Sequence, residues 1–268
     1  MEPALHLLIQ YCNAKLPPRQ AEYDFCLRRN LQNPWIAKVH NLVEPTTVVP
    51  DEFKTHAKYV EHPLDHWMTY ADALGFANEN LAGESVCLAN LDIFLDDKQT
   101  RWSDISKLLD ANIVLCLSRF EYDGDNKAHL DPGFAQLAYA NTQDAWIFRA
   151  PFSAPDCDFE IGTLGCDNAF AERIRRAGRL PFNAPNRFRV FHFDRCRGKT
   201  FENQAEVHAA DRADRPRKRP EEDGQYLVPD FDRVKSVDKL MESLKVPELQ
   251  RYAIICEVMS RFIRIKNK

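Results

Sequence analysis

At 268 residues, with 28% charged and 44% hydrophobic side chains, the chain reads as an ordinary soluble globular protein: one large domain, or one domain with a small appendage. A chain of this length buries roughly 70–75% of its unfolded surface, so it needs no disulfide staples. A formal charge of -4 argues against a general nucleic-acid binder, and no apolar run approaches the roughly 20 residues that span a bilayer.

The eight cysteines include no C-x-x-C pair, and the start, Met1-Glu2-Pro3, lacks the basic stretch of a signal peptide. Reduced thiols in a cytoplasmic protein are the expectation. Residues 211–223 hold five basic and five acidic residues with two prolines, which suits a solvated linker. Beyond it, basic residues outnumber acidic ones nine to six, leaving an acidic body with a basic tail.

In chain order, residues 5–11 suit a first buried strand. Pro17 and Pro18 open a helix over 19–30, with Tyr23, Cys26 and Leu27 on its core face. Residues 36–43 read as a second strand, which 46–50 extend or follow. A helix over 64–81 precedes a central strand over 86–94. A short helix over 102–109 and a strand over 113–120 come next. Residues 123–141 are polar and irregular, with D-G-D-N and D-P-G turns. A short strand at 145–148, a helix over 167–177 stopped by Gly178, and a strand over 188–193 complete the body. Strands interleaved with helices indicate an α/β layered domain over residues 1–210, the linker at 211–223 and a helical segment over 224–268. In that last segment helices are expected over 234–244 and 247–265. The second carries a broad apolar face, which packs on its own domain or docks on a membrane surface or partner chain.

Five stretches carry the candidate chemistry. The central strand runs into Asn90, Asp92 and the Asp96–Asp97 pair, at the strand end where open α/β sheets bind ligands. In an extended segment Asn90 and Asp92 point the same way and would converge on one hard cation, Mg²⁺ or Mn²⁺; the plain alternative is an acidic turn. Tyr70 and Asp72 lie on the preceding helix, where the tyrosine either stacks on a base, caps a phosphate or fills the core. Thr142-Gln143-Asp144-Ala145-Trp146 suits sugar binding or a structural tryptophan after a turn. Gly162-Thr163-Leu164-Gly165-Cys166-Asp167-Asn168 places Asp167 at a helix N-terminus, as a cap or as a general base. His192 and Asp194 share one side of the last strand, ahead of Arg195, Arg197 and Lys199, cations suited to phosphates. No phosphate-binding P-loop, dinucleotide fingerprint, serine-hydrolase elbow or zinc spacing is present.

The order R-Q-A-E-x-x-x-C-L-x-x-N-L, A-N-L-D-I, L-S-R-F, T-Q-D-A-W-I-F, G-C-D-N and H-F-D resembles a family of nucleotide-sugar glycosyltransferases of surface-glycan synthesis. The resemblance covers about residues 5–199. It implies a GT-A-like, Rossmann-related mixed sheet flanked by helices, with a nucleotide-sugar donor (a UDP-sugar first) and a glycan acceptor. It sets Asn90 and Asp92 at the family's Asp-x-Asp-type motif, with Asn replacing the first carboxylate. On that footing Asp92 and His192 would hold Mn²⁺ or Mg²⁺. Asp167, or else Asp144, would be the base; Tyr70, Asp72, Asn90, Arg119, Gln143, Trp146 and Asn168 would line the donor and acceptor pocket. The rivals are a silent nucleotide- or glycan-binding module, and a phosphoryl-transfer enzyme with Asp92, Asp96 and Asp97 as metal ligands.

Overall fold

The structure, a computed structural model, describes residues 5–100, 102, 105–109, 112–122, 124, 129–130, 139–140, 142–196, 217–220, 224, 226 and 228–229. The strands β1 (Leu5–Ile9) and β2 (Ile36–Val43) flank helix α1 (Pro17–Gln32). A single helical turn, α2 (Asp51–Lys54), leads to β3 (Tyr59–Pro63). Helix α3 (Tyr70–Asn80) is followed by β4 (Ser85–Ala89), β5 (Ile93–Leu95), helix α4 (Ile105–Leu109), β6 (Ile113–Leu117), β7 (Phe120–Glu121), β8 (His129–Leu130), β9 (Tyr139–Ala140) and β10 (Ala145–Arg149). Helix α5 (Cys166–Arg176), β11 (Leu180–Phe182), β12 (Val190–His192) and β13 (Val228–Pro229) complete the order.

Seven strands form one mixed sheet in the order β11-β6-β10-β4-β1-β2-β3, with β10 antiparallel to both neighbours and every other pair parallel. This is the helix-flanked α/β arrangement expected. One face packs Leu27 and Leu31 of α1 with Trp102 and Ile105 of the α4 region; the other packs Leu74 of α3 and Phe170 of α5. Burial on both faces explains why β4 and β6 read as unbroken apolar runs rather than alternating ones.

Several boundaries shift for physical reasons. The helix expected from residue 64 begins only at Tyr70. Thr69 Oγ1 accepts from the Asp72 amide and Asp72 accepts from the Thr69 amide, a capping box that sets the start. The central strand expected over 86–94 breaks in two. The Ile93 amide donates to the Asn90 carbonyl, so the chain turns there, and β5 joins a second sheet, β5-β12-β7-β8. Helix α1 anchors β5 through side chains: Asn30 donates to Ile93 O and accepts from Leu95 N, while Asn33 donates to Leu95 O. Helix α5 lies between two left-handed glycines, Gly165 at φ 80° and Gly178 at φ 75°.

Residues 217–220, inside the expected solvated linker, dock on the body. Arg217 lies 4.7 Å over the Trp67 ring and pairs with the buried Glu160, whose amide donates to the Lys218 carbonyl. Further on, the Tyr226 amide donates to Asn168 O, and Val228–Pro229 is a strand paired with β9. The helices expected over 234–244 and 247–265 lie outside the described residues. Among the described residues no helix is long and apolar enough to cross a membrane.

On the sheet face under α3, His6, His40 and His62 form a ladder across β1, β2 and β3. His6 Nδ1 is 2.9 Å from His40 Nε2, His40 Nδ1 is 3.1 Å from His62 Nε2, and Phe76 packs on the latter two rings. Each nitrogen pair holds one shared proton, which three neutral rings with aligned tautomers supply. Burial lowers all three, and with its two histidine neighbours and Lys38 it brings His40 down to about 4; Glu84 opposes the shift only at His6. The folded state therefore binds fewer protons than the unfolded one between about pH 6.5 and 4. Stability from the ladder is complete above that window and falls as pH drops through it, by at most about 1.4 kcal/mol per pH unit for each histidine. Urea unfolding at pH 7.5 and 5 should show a smaller acid loss in His40→Gln than in the parent. An equal loss would remove the ladder as the cause.

Candidate functional site

The site lies along one edge of the main sheet. β4 ends at Ala89 beside the start of β10 at Ala145, which also pairs with Leu117 at the end of β6. That register brings Asn90, Asp144 and Arg119 together. Asn90 Nδ2 donates to Asp144 Oδ1 at 2.9 Å, and Arg119 Nη1 donates to Asp144 Oδ2 at 2.8 Å. Arg119 Nε donates to Glu121 Oε1 at 2.8 Å, and Glu121 Oε2 lies 2.9 Å from His192 Nδ1. The pairing of β7 with β12 sets Glu121 opposite His192 and so fixes this contact.

From His192 the network continues to helix α1. His192 Nε2 is 3.2 Å from Asp92 Oδ2, to which Arg19 Nη2 donates at 2.5 Å. Arg19, only 2% exposed, also meets Glu22 at 2.9 Å and Asp194 at 3.4 Å. Glu22 in turn accepts from the amides of Arg195 and Cys196, fastening the chain after β12 to α1. Acids and bases thus alternate from Glu22 through Arg19, Asp92, His192, Glu121 and Arg119 to Asp144. At Arg19, Arg119, Glu121 and His192 burial opposes the charge, yet the partners prevail. Glu121 is held down at about 2 by His192 and Arg119, and His192 is raised to about 9 by Asp92 and Glu121 against burial and Arg119.

Asp167 differs. It sits in the first turn of α5 and its Oδ2 accepts from the Gln143 amide at 3.2 Å. Burial first, and the neighbouring Asp144 carboxylate second, push it up to about 6, against the backbone amides that favour its charge. Gln143 Nε2 donates to Asn168 Oδ1 at 3.3 Å beneath it. A half-buried carboxylate poised near neutrality, beside one clamped by a guanidinium and an amide, is the arrangement that separates a base from a positioning group.

Three expected pocket residues are structural instead. Tyr70 is fully buried among Trp146, Phe159 and Phe170, its hydroxyl directed at Cys166 Sγ. Trp146 is equally buried, packed edge-on against Tyr70 and Phe170, because α5 covers that sheet face. Asp72 is occupied as the helix cap and by His66. Asp96 accepts from the amides of Lys98, Gln99 and Thr100, and Asp97 pairs with Arg29, so neither adds to a metal shell with Asp92.

The expected pairing of Asn90 with Asp92 on one cation fails because the backbone turns between them. Asn90 faces Asp144, and Asp92 faces Arg19 and His192. Among the described residues no group of three or more His, Cys, Asp or Glu is placed to hold a metal ion. The donor set therefore does not fit Mn²⁺ or Mg²⁺ as arranged. Arg19, Glu22 and Glu121 were missed in the sequence, although the i, i+3 spacing of Arg19 with Glu22 and the alternation of Arg119 with Glu121 were signals of pairing.

No family model matches this sequence, and no curated relative matches it. Among solved structures the chain is similar to S. aureus TarS 1–349 in complex with UDP-GlcNAc, at TM-score 0.48 and 11% identity over 76% of this chain and 64% of that one. It is similar also to S. aureus TarS 1–349 (TM-score 0.47, 11% identity, 96% and 71% covered) and to its complex with UDP (TM-score 0.46, 12% identity, 77% and 64% covered). The chain thus spans less than two thirds of the two complexes.

The contact with Asp144 explains the asparagine at position 90. A carboxylate there would stand at hydrogen-bond distance from Asp144, where only a donor is compatible. Asn90→Asp should raise one carboxyl pKa in the folded state, costing stability above the unfolded value near 4. We expect a loss of roughly 1–3 kcal/mol at pH 8 that narrows at pH 5. A deficit independent of pH, measured by denaturant titration, would contradict the repulsion.

Proposed function

We propose that the protein is a glycosyltransferase that moves a sugar from a nucleoside-diphosphate donor, a UDP-sugar first, to a hydroxyl of a glycan acceptor. The observation that carries the reading is the pair Asp144 and Asp167 at the strand-end edge of the sheet, one carboxylate clamped and the other poised near neutrality. The motif order that resembles the glycosyltransferase family supports it from the sequence side.

In this reading Asp167 takes the proton of the acceptor hydroxyl. The acceptor oxygen bonds to the anomeric carbon, whose bond to the diphosphate oxygen breaks, and the electron pair leaves with the diphosphate. Direct attack of this kind inverts the anomeric centre. Asp144, held by Arg119 and Asn90, orients sugar hydroxyls, with Gln143 and Asn168 alongside. Arg195, exposed just beyond β12 and fixed through its amide to Glu22, is the cation at hand for the departing diphosphate.

Transfer from a panel of nucleotide sugars, followed by release of free nucleoside diphosphate, tests the activity. Asp167→Asn should lower kcat by roughly 10²–10⁴-fold with UDP affinity near that of the parent, since a base adds little to donor binding. The parent's kcat should rise with pH through about 6 and level off above it, because only the ionised carboxylate accepts the proton. Asp144→Asn should mainly raise KM. A dead Asp144→Asn beside an active Asp167→Asn would reverse the two roles and leave Asp167 a helix-terminus residue.

A further inference from the structure

Asp92 stands where the family resemblance places a metal ligand, yet the position of a cation is already filled by protein. Arg19 Nη2 lies 2.5 Å from Asp92 Oδ2, within a guanidinium that is 2% exposed and carries a permanent charge. His192 meets the same oxygen through Nε2 at 3.2 Å, while its Nδ1 faces Glu121 at 2.9 Å. Both ring nitrogens are thus engaged within the protein, and neither presents a lone pair outward. Asn90 is turned away, its amide nitrogen on Asp144.

A divalent cation could take Asp92 Oδ2 only by displacing Arg19. That guanidinium is also tied to Glu22, which fastens the chain after β12, and it lies 4.5 Å over the Tyr23 ring and 3.4 Å from Asp194. Displacement would leave a buried guanidinium beside a like-charged ion, with its carboxylate partner lost; breaking a buried pair is far more costly than losing an exposed one. The arrangement is a completed charge shell rather than a shell waiting for an ion.

On the donor-site reading above, we infer that Arg19 occupies the cation's place on Asp92, so that the nucleoside-diphosphate donor binds without a divalent metal ion.

The test is calorimetric titration of UDP into the intact chain, once in EDTA and once with excess Mn²⁺. The two dissociation constants should agree within about three-fold. Affinity at least about ten-fold higher with Mn²⁺ overturns the inference while upholding the nucleotide site. Absence of binding in both buffers overturns the donor-site reading, and the inference falls with it. Arg19→Met supplies the converse: with the guanidinium gone, Asp92 is released and a folded variant should acquire Mn²⁺-dependent UDP binding that the parent lacks. A folded Arg19→Met protein that binds UDP equally in both buffers shows that Arg19 is not what excludes the metal and overturns the assignment. Where that variant does not fold, the comparison on the parent decides.

Discussion

A guanidinium removed from water must be surrounded by acceptors, and the burial of Arg19 organises much of this molecule around that requirement. Its partners come from distant parts of the chain: Glu22 one turn along the same helix, Asp92 after the central strand, Asp194 and the Phe193 carbonyl after β12. Satisfying one side chain therefore brings α1, the turn after β4 and the end of β12 to one point. Glu22 extends the hold by accepting two further amides. The second sheet is small, with strands of two or three residues, and owes its position to these contacts and to Asn30 and Asn33 rather than to its own ladder.

That second sheet gives the candidate site its depth. The main sheet alone would present Asn90, Arg119 and Asp144 along a flat edge. Because the chain turns at Asn90 and re-enters as β5, a wall carrying Asp92, Glu121 and His192 stands beside that edge, with Arg119 spanning the two through Asp144 and Glu121. A rigid lattice of this type holds side chains in place before any ligand arrives, which is what positioning for group transfer demands.

The parts legible in the sequence were those decided by local chemistry. Strand Ile36–Val43 was legible with both of its ends, the start of α1 followed from Pro17 and Pro18, and α5 from the glycines that bracket it. What failed was decided at long range. The break at Asn90–Asp92 depends on pairing with β12, about a hundred residues later, so the i, i+2 argument was applied to a backbone that is not extended. Tyr70 and Trp146 carry polar tips suited to a ligand, and only the position of α5 over them shows that they are core. The Thr69-x-x-Asp72 spacing is that of a capping box, a signal the expected helix over 64–81 passed over, and it places Asp72 without recourse to a ligand. Arg19 drew no role from the sequence, since nothing in a one-dimensional pattern distinguishes a solvated arginine from one sunk among four acceptors.

Two aspartates of the same chemistry come to differ through their surroundings alone. Asp144 receives an amide and a guanidinium, both of which favour its charge, and so it is spent on geometry. At Asp167 burial first, and the neighbouring Asp144 carboxylate second, disfavour a negative charge and raise the group to about 6. Arg119 thus bears on both: by holding Asp144 in place it keeps that carboxylate beside its neighbour. The amide at Asn90 serves the same end, since it donates to Asp144 without adding a third negative charge to the edge. A carboxylate at that position would have spread the repulsion over three groups and blurred the difference between the two aspartates.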